Sequence, residues 1–160
     1  MENSIESNVT LSDEIEIING YLELEALRFD NSFKYEIKVD EAIDPDITEI
    51  PGFVIQPYVE NAVLHGLLPK EGDQKEIYVT FYNENGSLLC EIDDNGIGRA
   101  ASAERRSPYK ANRRSRGMEV TRKRLELINN NDTNSVQIID KTDPNGKPLG
   151  TTVIIRITRS

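Results

Sequence analysis

QPYVENAVLHG, from Gln56 to Gly66, decides how this chain is to be read, because it sets a carboxylate and an amide side by side on a predicted helix. Val54, Tyr58, Ala62 and Val63 recur at helical spacing between Gly52 and His65, so one face of that helix is apolar. Pro57 fits its first turn or else kinks it. Glu60 and Asn61 remain as its polar pair. Further along, DDNGIG, from Asp93 to Gly98, ends an apolar strand pattern, and GTT, from Gly150 to Thr152, opens the last strand. The three segments together predict an amide, an acid and a glycine turn brought to one place.

Upstream, Leu11, Ile15, Ile18, Leu22, Ala26 and Phe29 step by three or four and mark a helix over 11–29. Thr10 or Ser12 suits its N-cap, and Asp13 and Glu14 suit the positive end. A second partial stripe, Ile17, Tyr21 and Leu24, suggests cover on two sides. FKYEIKV, Phe33 to Val39, alternates like a strand, and Asp44 to Ile50 reads as a loop ending at Pro51.

EIYVTFY and SLLCEID are strands joined at Asn85-Gly86, a hairpin signal. Gly117 to Asn129 reads as a helix, and Ser135–Asp140 with Thr151–Thr158 as a second hairpin. The expectation is an α+β fold, a two-layer sandwich in which a mixed, mostly antiparallel sheet of about five strands carries its helices on one face. Residues 99–114 show no apolar period and read as a long loop, a natural lid over a ligand.

The composition narrows the class. A chain of 160 residues with 37% hydrophobic and 29% charged residues has the make-up of one globular domain. Its single cysteine, Cys90, sits in an apolar strand pattern and reads as a core residue in a reducing compartment. No apolar run reaches the ~20 residues a membrane span needs, and the acidic first ten residues are no signal peptide. The net charge of -9 hides an asymmetry: residues 99–124 hold ten basic and two acidic side chains, a local +8 against -17 elsewhere. A bound anion responds to the nearby patch, since salt screens charges beyond ~8 Å. Tyr109 is the patch's only aromatic and the rest is acidic, so no direct nucleic-acid contact is expected.

These residue types suit a nucleotide. A carboxylate at Asp94 accepts from an adenine amino group, Gly96 and Gly98 let backbone approach the base, and the Thr151 hydroxyl supports the contact. Asn61 offers the neutral oxygen that Mg²⁺ takes while keeping its waters, and Glu60 is placed to orient a water or reactant. Gly117 is expected to start a helix whose free amides face a phosphate, with lid arginines adding charge. His65, the only histidine, reads as a core or pocket-wall residue.

Plainer readings compete. DNGIG is a common strand-end turn, and its two acids lack the alternating pattern of a calcium loop. Gly96, Gly98 and Ala101 spell a dinucleotide fingerprint that two preceding acids and Pro108 disfavour, and the hairpins oppose a parallel sheet. There is no Walker P-loop sequence.

LSDEIEIINGYLELEALRF, FKYEIKVDEAID, IPGFVIQPYVENAVLHG, EIDDNGIG, GMEVTRKRLELIN and GTTVIIRI, in that order, resemble the catalytic ATP-binding part of LytS-like bacterial sensor histidine kinases. The resemblance implies the GHKL, or Bergerat, fold, with ATP and Mg²⁺ bound and a γ-phosphoryl transferred to a histidine outside this chain. Asn61 matches the magnesium-binding asparagine and Glu60 its acidic neighbour, both catalytic. Asp94, Gly96 and Gly98 match the adenine-binding box, Gly117 with Arg116 and Met118 the second glycine box, and Thr151 the terminal element. His65 joins them as a nucleotide-pocket residue.

By the same resemblance, residues 1–32 end a dimerisation and phosphotransfer helix with its linker, and 33–160 form the catalytic domain with a lid at about 99–116. The expected partners are the phosphoacceptor helical hairpin of the same protein, in cis or across a homodimer, and a response regulator of LytTR type. The expected place is a cytoplasmic domain of a protein anchored in the bacterial inner membrane. A non-catalytic nucleotide-sensing or dimerisation module of the same fold is the alternative, prompted by Leu64 and the short second glycine box.

Overall fold

The structure is a computed structural model that describes residues 8–29, 33–72, 74–105 and 108–158, and only the backbone from 104 to 116. The chain begins with β1 (Asn8–Thr10), α1 (Leu11–Arg28), β2 (Phe33–Val39) and β3 (Glu49–Pro51). Next come α2 (Gln56–Ala62), a π-helical turn (Val63–Leu67), β4 (Lys75–Glu84) and β5 (Ser87–Asp94). Then follow α3 (Arg99–Arg105), α4 (Pro108–Ile128), β6 (Val136–Thr142) and β7 (Pro148–Thr158).

Five strands form one sheet in the order β2-β4-β5-β7-β6, in which β2 runs parallel to β4 and the other pairs are antiparallel. Hairpin chemistry sets the register of the centre. Asn85 and Gly86 both take positive φ, 52° and 81°, so the Asn-Gly pair turns the chain tightly from β4 into β5. Phe81 then faces Cys90, and Cys90 faces Ile155 of β7. Because strand side chains alternate, this places Ile77, Val79 and Phe81, Leu88, Cys90 and Ile92, and Val153, Ile155 and Ile157 on one buried face.

The helices cover that face. Leu11, Ile18 and Leu22 of α1, Tyr58 and Val59 of α2 and Leu125 of α4 join the strand residues in a single core. Thr10 caps α1 by accepting from the backbone N–H of Asp13 at 3.1 Å, and Asp13 and Glu14 sit in the first turn as expected. Pro57 lies in the first turn of α2, where its missing N–H costs nothing. The α+β sandwich with a five-stranded, mostly antiparallel sheet is therefore the observed architecture.

Three expectations change. Glu49–Pro51 is a short strand paired antiparallel with Asn8–Thr10, where the sequence shows only a loop. Residues 99–114 are mostly helical rather than a loop: α3 covers the first part and α4 begins at Pro108. Gly117 thus lies inside α4 and does not start it, and the Thr121 hydroxyl donates to its carbonyl at 3.1 Å, one helical turn back. The physical reason is that apolar periodicity reports a packed face, whereas alanine, arginine and lysine favour helix without one, and proline is at home at a helix start.

Candidate nucleotide site

The site begins with the alternation of β5. Ile92 and Asp94 share a face, and the register sets Asp94 against Thr151 and Ile77, in the next row along from the core residues Ile92 and Val153. Its carboxyl group therefore enters the helix layer, 4% exposed, while Asp93 turns to the other side. There Lys141 donates to Asp93 at 2.5 Å and the Thr152 hydroxyl donates to it at 2.8 Å. The two adjacent acids have separate jobs: Asp93 ties β5 to β6 and β7, and Asp94 faces inward.

Close packing holds Asp94 in place. Its Oδ1 accepts from the backbone N–H of Gly96 at 2.7 Å. A methyl group at Gly96 would stand 2.4 Å from the carbonyl carbon and oxygen of Gly66, and one at Gly150 would stand 2.1 Å from the Asp94 carbonyl oxygen. Gly150 also has φ +124°, a conformation that side chains disfavour. Gly66 can approach because Val63–Leu67 is a π-helical turn, with the Leu68 N–H donating to the Val63 carbonyl at 2.9 Å. Such a wide turn is often found at functional sites. Beside it, the Ile97 N–H donates to the Gly66 carbonyl at 3.0 Å, and Asn95 bonds to Glu76 and Gln74, pinning the glycine turn to the end of β4.

Burial raises the Asp94 pKa to about 6, against the lowering effects of the Gly96 N–H, Lys141 and the Thr151 backbone. An inward carboxyl group in this state suits a hydrogen-bonding partner supplied by a ligand.

Asp94 opens on a cavity of about 430 Å³, within the ~300–1,000 Å³ range of small-molecule pockets. Of the expected site residues, Asn61, His65, Asp94, Gly98, Met118 and Thr151 line it together. Gly96 supports the site from behind Gly66. Gly117 is not among the lining residues, and a methyl group built there meets nothing within 4 Å, in keeping with its place along α4. The Arg116 side chain lies outside the described residues.

Glu60 is the clear departure. It does not line the cavity, and the Gln56 amide donates to it at 2.6 Å along α2. Its charge instead helps raise the pKa of Tyr21 on α1, after burial and Glu25. Helical geometry explains this: successive residues sit about 100° apart, so Glu60 and Asn61 cannot share a face.

The sequence reading missed an apolar wall made by Val136 and Ile138 of β6 and Val153 of β7, and a polar wall from Tyr58, Arg99, Glu119 and Arg122. The apolar wall was open to inference, because Val136 and Ile138 alternate and the register pairs Ile138 with Val153. Among the described residues no group of three or more His, Cys, Asp or Glu residues is placed to hold a metal, and Asn61 offers a neutral oxygen at the cavity wall of the kind a magnesium ion takes.

The fold is that of histidine kinase catalytic domains. The catalytic domain of the histidine kinase ThkA aligns over 95% of this chain and 94% of its own length, with a TM-score of 0.59 and 16% identity. The blue-light activated histidine kinase of Erythrobacter litoralis aligns over 93% of this chain and 42% of its own, with a TM-score of 0.57 and 12% identity.

By sequence the chain is similar to LytS-like sensor histidine kinases. The sensor protein LytS of Bacillus subtilis is 37% identical over 90 residues, 56% of this chain and 15% of LytS. The sensor histidine kinase BtsS of Escherichia coli is 36% identical over 87 residues, 54% of this chain and 15% of BtsS. The chain thus spans a small part of these relatives' length. No family model matches it.

Proposed function

We propose that this chain binds Mg-ATP and, within its parent kinase, passes the γ-phosphoryl group to a histidine on a dimerisation hairpin. The observation that carries the reading is that Asp94, at the end of β5, and Asn61, on α2, border one cavity with an apolar wall opposite. The purine lies against Val136, Ile138 and Val153 and gives its amino hydrogen to Asp94, with Thr151 alongside. Asn61 would hold the magnesium ion, which supplies charge neutralisation on the phosphate oxygens. Phosphoryl transfer needs positioning and charge compensation more than covalent chemistry from the protein, and this wall offers both.

In this reading Glu60 acts from outside the cavity, with residues 1–32 linking toward the hairpin, 33–160 binding nucleotide and 99–116 closing over it. A response regulator, of LytTR type, receives the phosphoryl group, and the parent is anchored in the membrane; among the described residues no helix is long and apolar enough to cross one.

Calorimetric titration with ATP, with and without Mg²⁺, tests the site. Wild type should bind, more tightly with Mg²⁺, and Asp94→Ala should lose most of its affinity. Equal affinity of the two proteins would remove the adenine contact and the reading with it.

A further inference from the structure

Two described arginines, Arg99 and Arg122, border the cavity, and each is already held by a carboxylate of this chain. Arg99 makes a two-pronged contact with Asp140, which does not line the cavity, at 2.9 and 2.7 Å. Arg122 is different, because its partner Glu119 also lines the cavity; one guanidinium nitrogen donates to both carboxylate oxygens, at 2.6 and 2.7 Å.

The position of this second pair along the cavity is informative. Asp94 sits at the Gly66 end of the α2 segment, where a methyl group on Gly66 would be 3.2 Å from its Oδ1. Arg122 sits at the other end, near enough to Tyr58 for its charge to act on that hydroxyl. Tyr58 and Gly66 lie eight residues apart along α2 and the π-helical turn that continues it, with Asn61 between them. A nucleotide with its base on Asp94 therefore points its phosphates past Asn61 toward Arg122.

We infer that Arg122 is a ligand of the terminal phosphates and that Glu119 is an intramolecular competitor from which Arg122 must part when a polyphosphate arrives. The inference rests on the ATP reading and deepens it, since the pair then discriminates nucleotides by phosphate number. Exchange is favoured on three counts. The pair is half exposed and spaced i,i+3, so it is weak. A phosphate chain offers more charge than one carboxylate and suits the planar guanidinium. Glu119 keeps a second cation, Lys123, 3.9 Å away, so parting does not strand it.

The test is titration of the 160-residue chain with Mg-ATP and with adenosine, for wild type, Glu119→Gln, Arg122→Gln and the double variant. The expected result is several-fold tighter ATP binding by Glu119→Gln and roughly tenfold weaker binding by Arg122→Gln, with adenosine affinity unchanged in both. The double variant should stay close to Arg122→Gln, because Glu119→Gln gains ATP affinity mainly by releasing the arginine. ATP affinity unchanged or reduced in Glu119→Gln, or an Arg122→Gln loss shared equally by adenosine, would overturn the inference while leaving the ATP site standing. Wild type that binds neither ligand would overturn both.

Discussion

Asp94 shows how one residue serves the site at a cost to the fold. Its carboxyl group titrates near pH 6 in the folded chain, against an ordinary value of 3.8, because burial disfavours the anion. Between those two values the folded state holds a proton that the unfolded state has lost, so stability rises as pH falls through about 6 toward 4. The gain amounts to up to roughly 3 kcal/mol, and Asp94→Asn should abolish it; denaturation midpoints at pH 7 and pH 5 for both proteins measure this. Binding has the opposite trend. The ionised carboxylate is the stronger acceptor for an adenine amino group, so ATP affinity should fall as pH drops below about 6. A flat affinity profile between pH 7 and 5 would show that the anion is not the acceptor.

At the scale of elements, the two glycines in the α2 turn and at the start of β7 belong to one packing unit around the end of β5. Gly150→Ala should lower stability by roughly 1–3 kcal/mol and weaken nucleotide binding, since its methyl group collides with the Asp94 backbone. Gly117→Ala makes the reverse case. Inside α4, with open space around it, it should stabilise the protein by about 0.5–1 kcal/mol, as alanine does over glycine within a helix. Destabilisation by Gly117→Ala in thermal unfolding would return the helix start to Gly117. The same scale explains what was legible. The hairpin at Asn85-Gly86 and the face of α1 could be read because their signals are local, a turn that needs positive φ and a period of 3.6. The pairing of Asn8–Thr10 with Glu49–Pro51 could not be, because three-residue strands carry too little pattern.

The whole molecule joins these elements through one core. Leu11, Ile18 and Leu22 are fully buried in the same core as Tyr58 and Val59 of α2, so α1 and α2 pack as one layer. Leu22→Ala should cost about 2–5 kcal/mol in denaturant titrations, and stability unchanged by the substitution would mean that α1 packs elsewhere. The proposed role also operates at this scale. Mixed with a histidine-bearing hairpin from the parent kinase and labelled ATP, this chain should generate phosphohistidine; good ATP binding without it would favour a nucleotide-sensing module.

By itself the sequence determined the five strands of the main sheet, the glycine turns and the candidacy of Asn61 and Asp94, because each rests on local chemistry or a short period. Tertiary structure alone decided that Asp94 turns inward while Asp93 turns out, that Glu60 leaves the cavity, and that Arg122 meets Glu119 on its wall. Those outcomes depend on strand register and on the angle between neighbouring side chains on a helix, which become meaningful only when the elements are packed together.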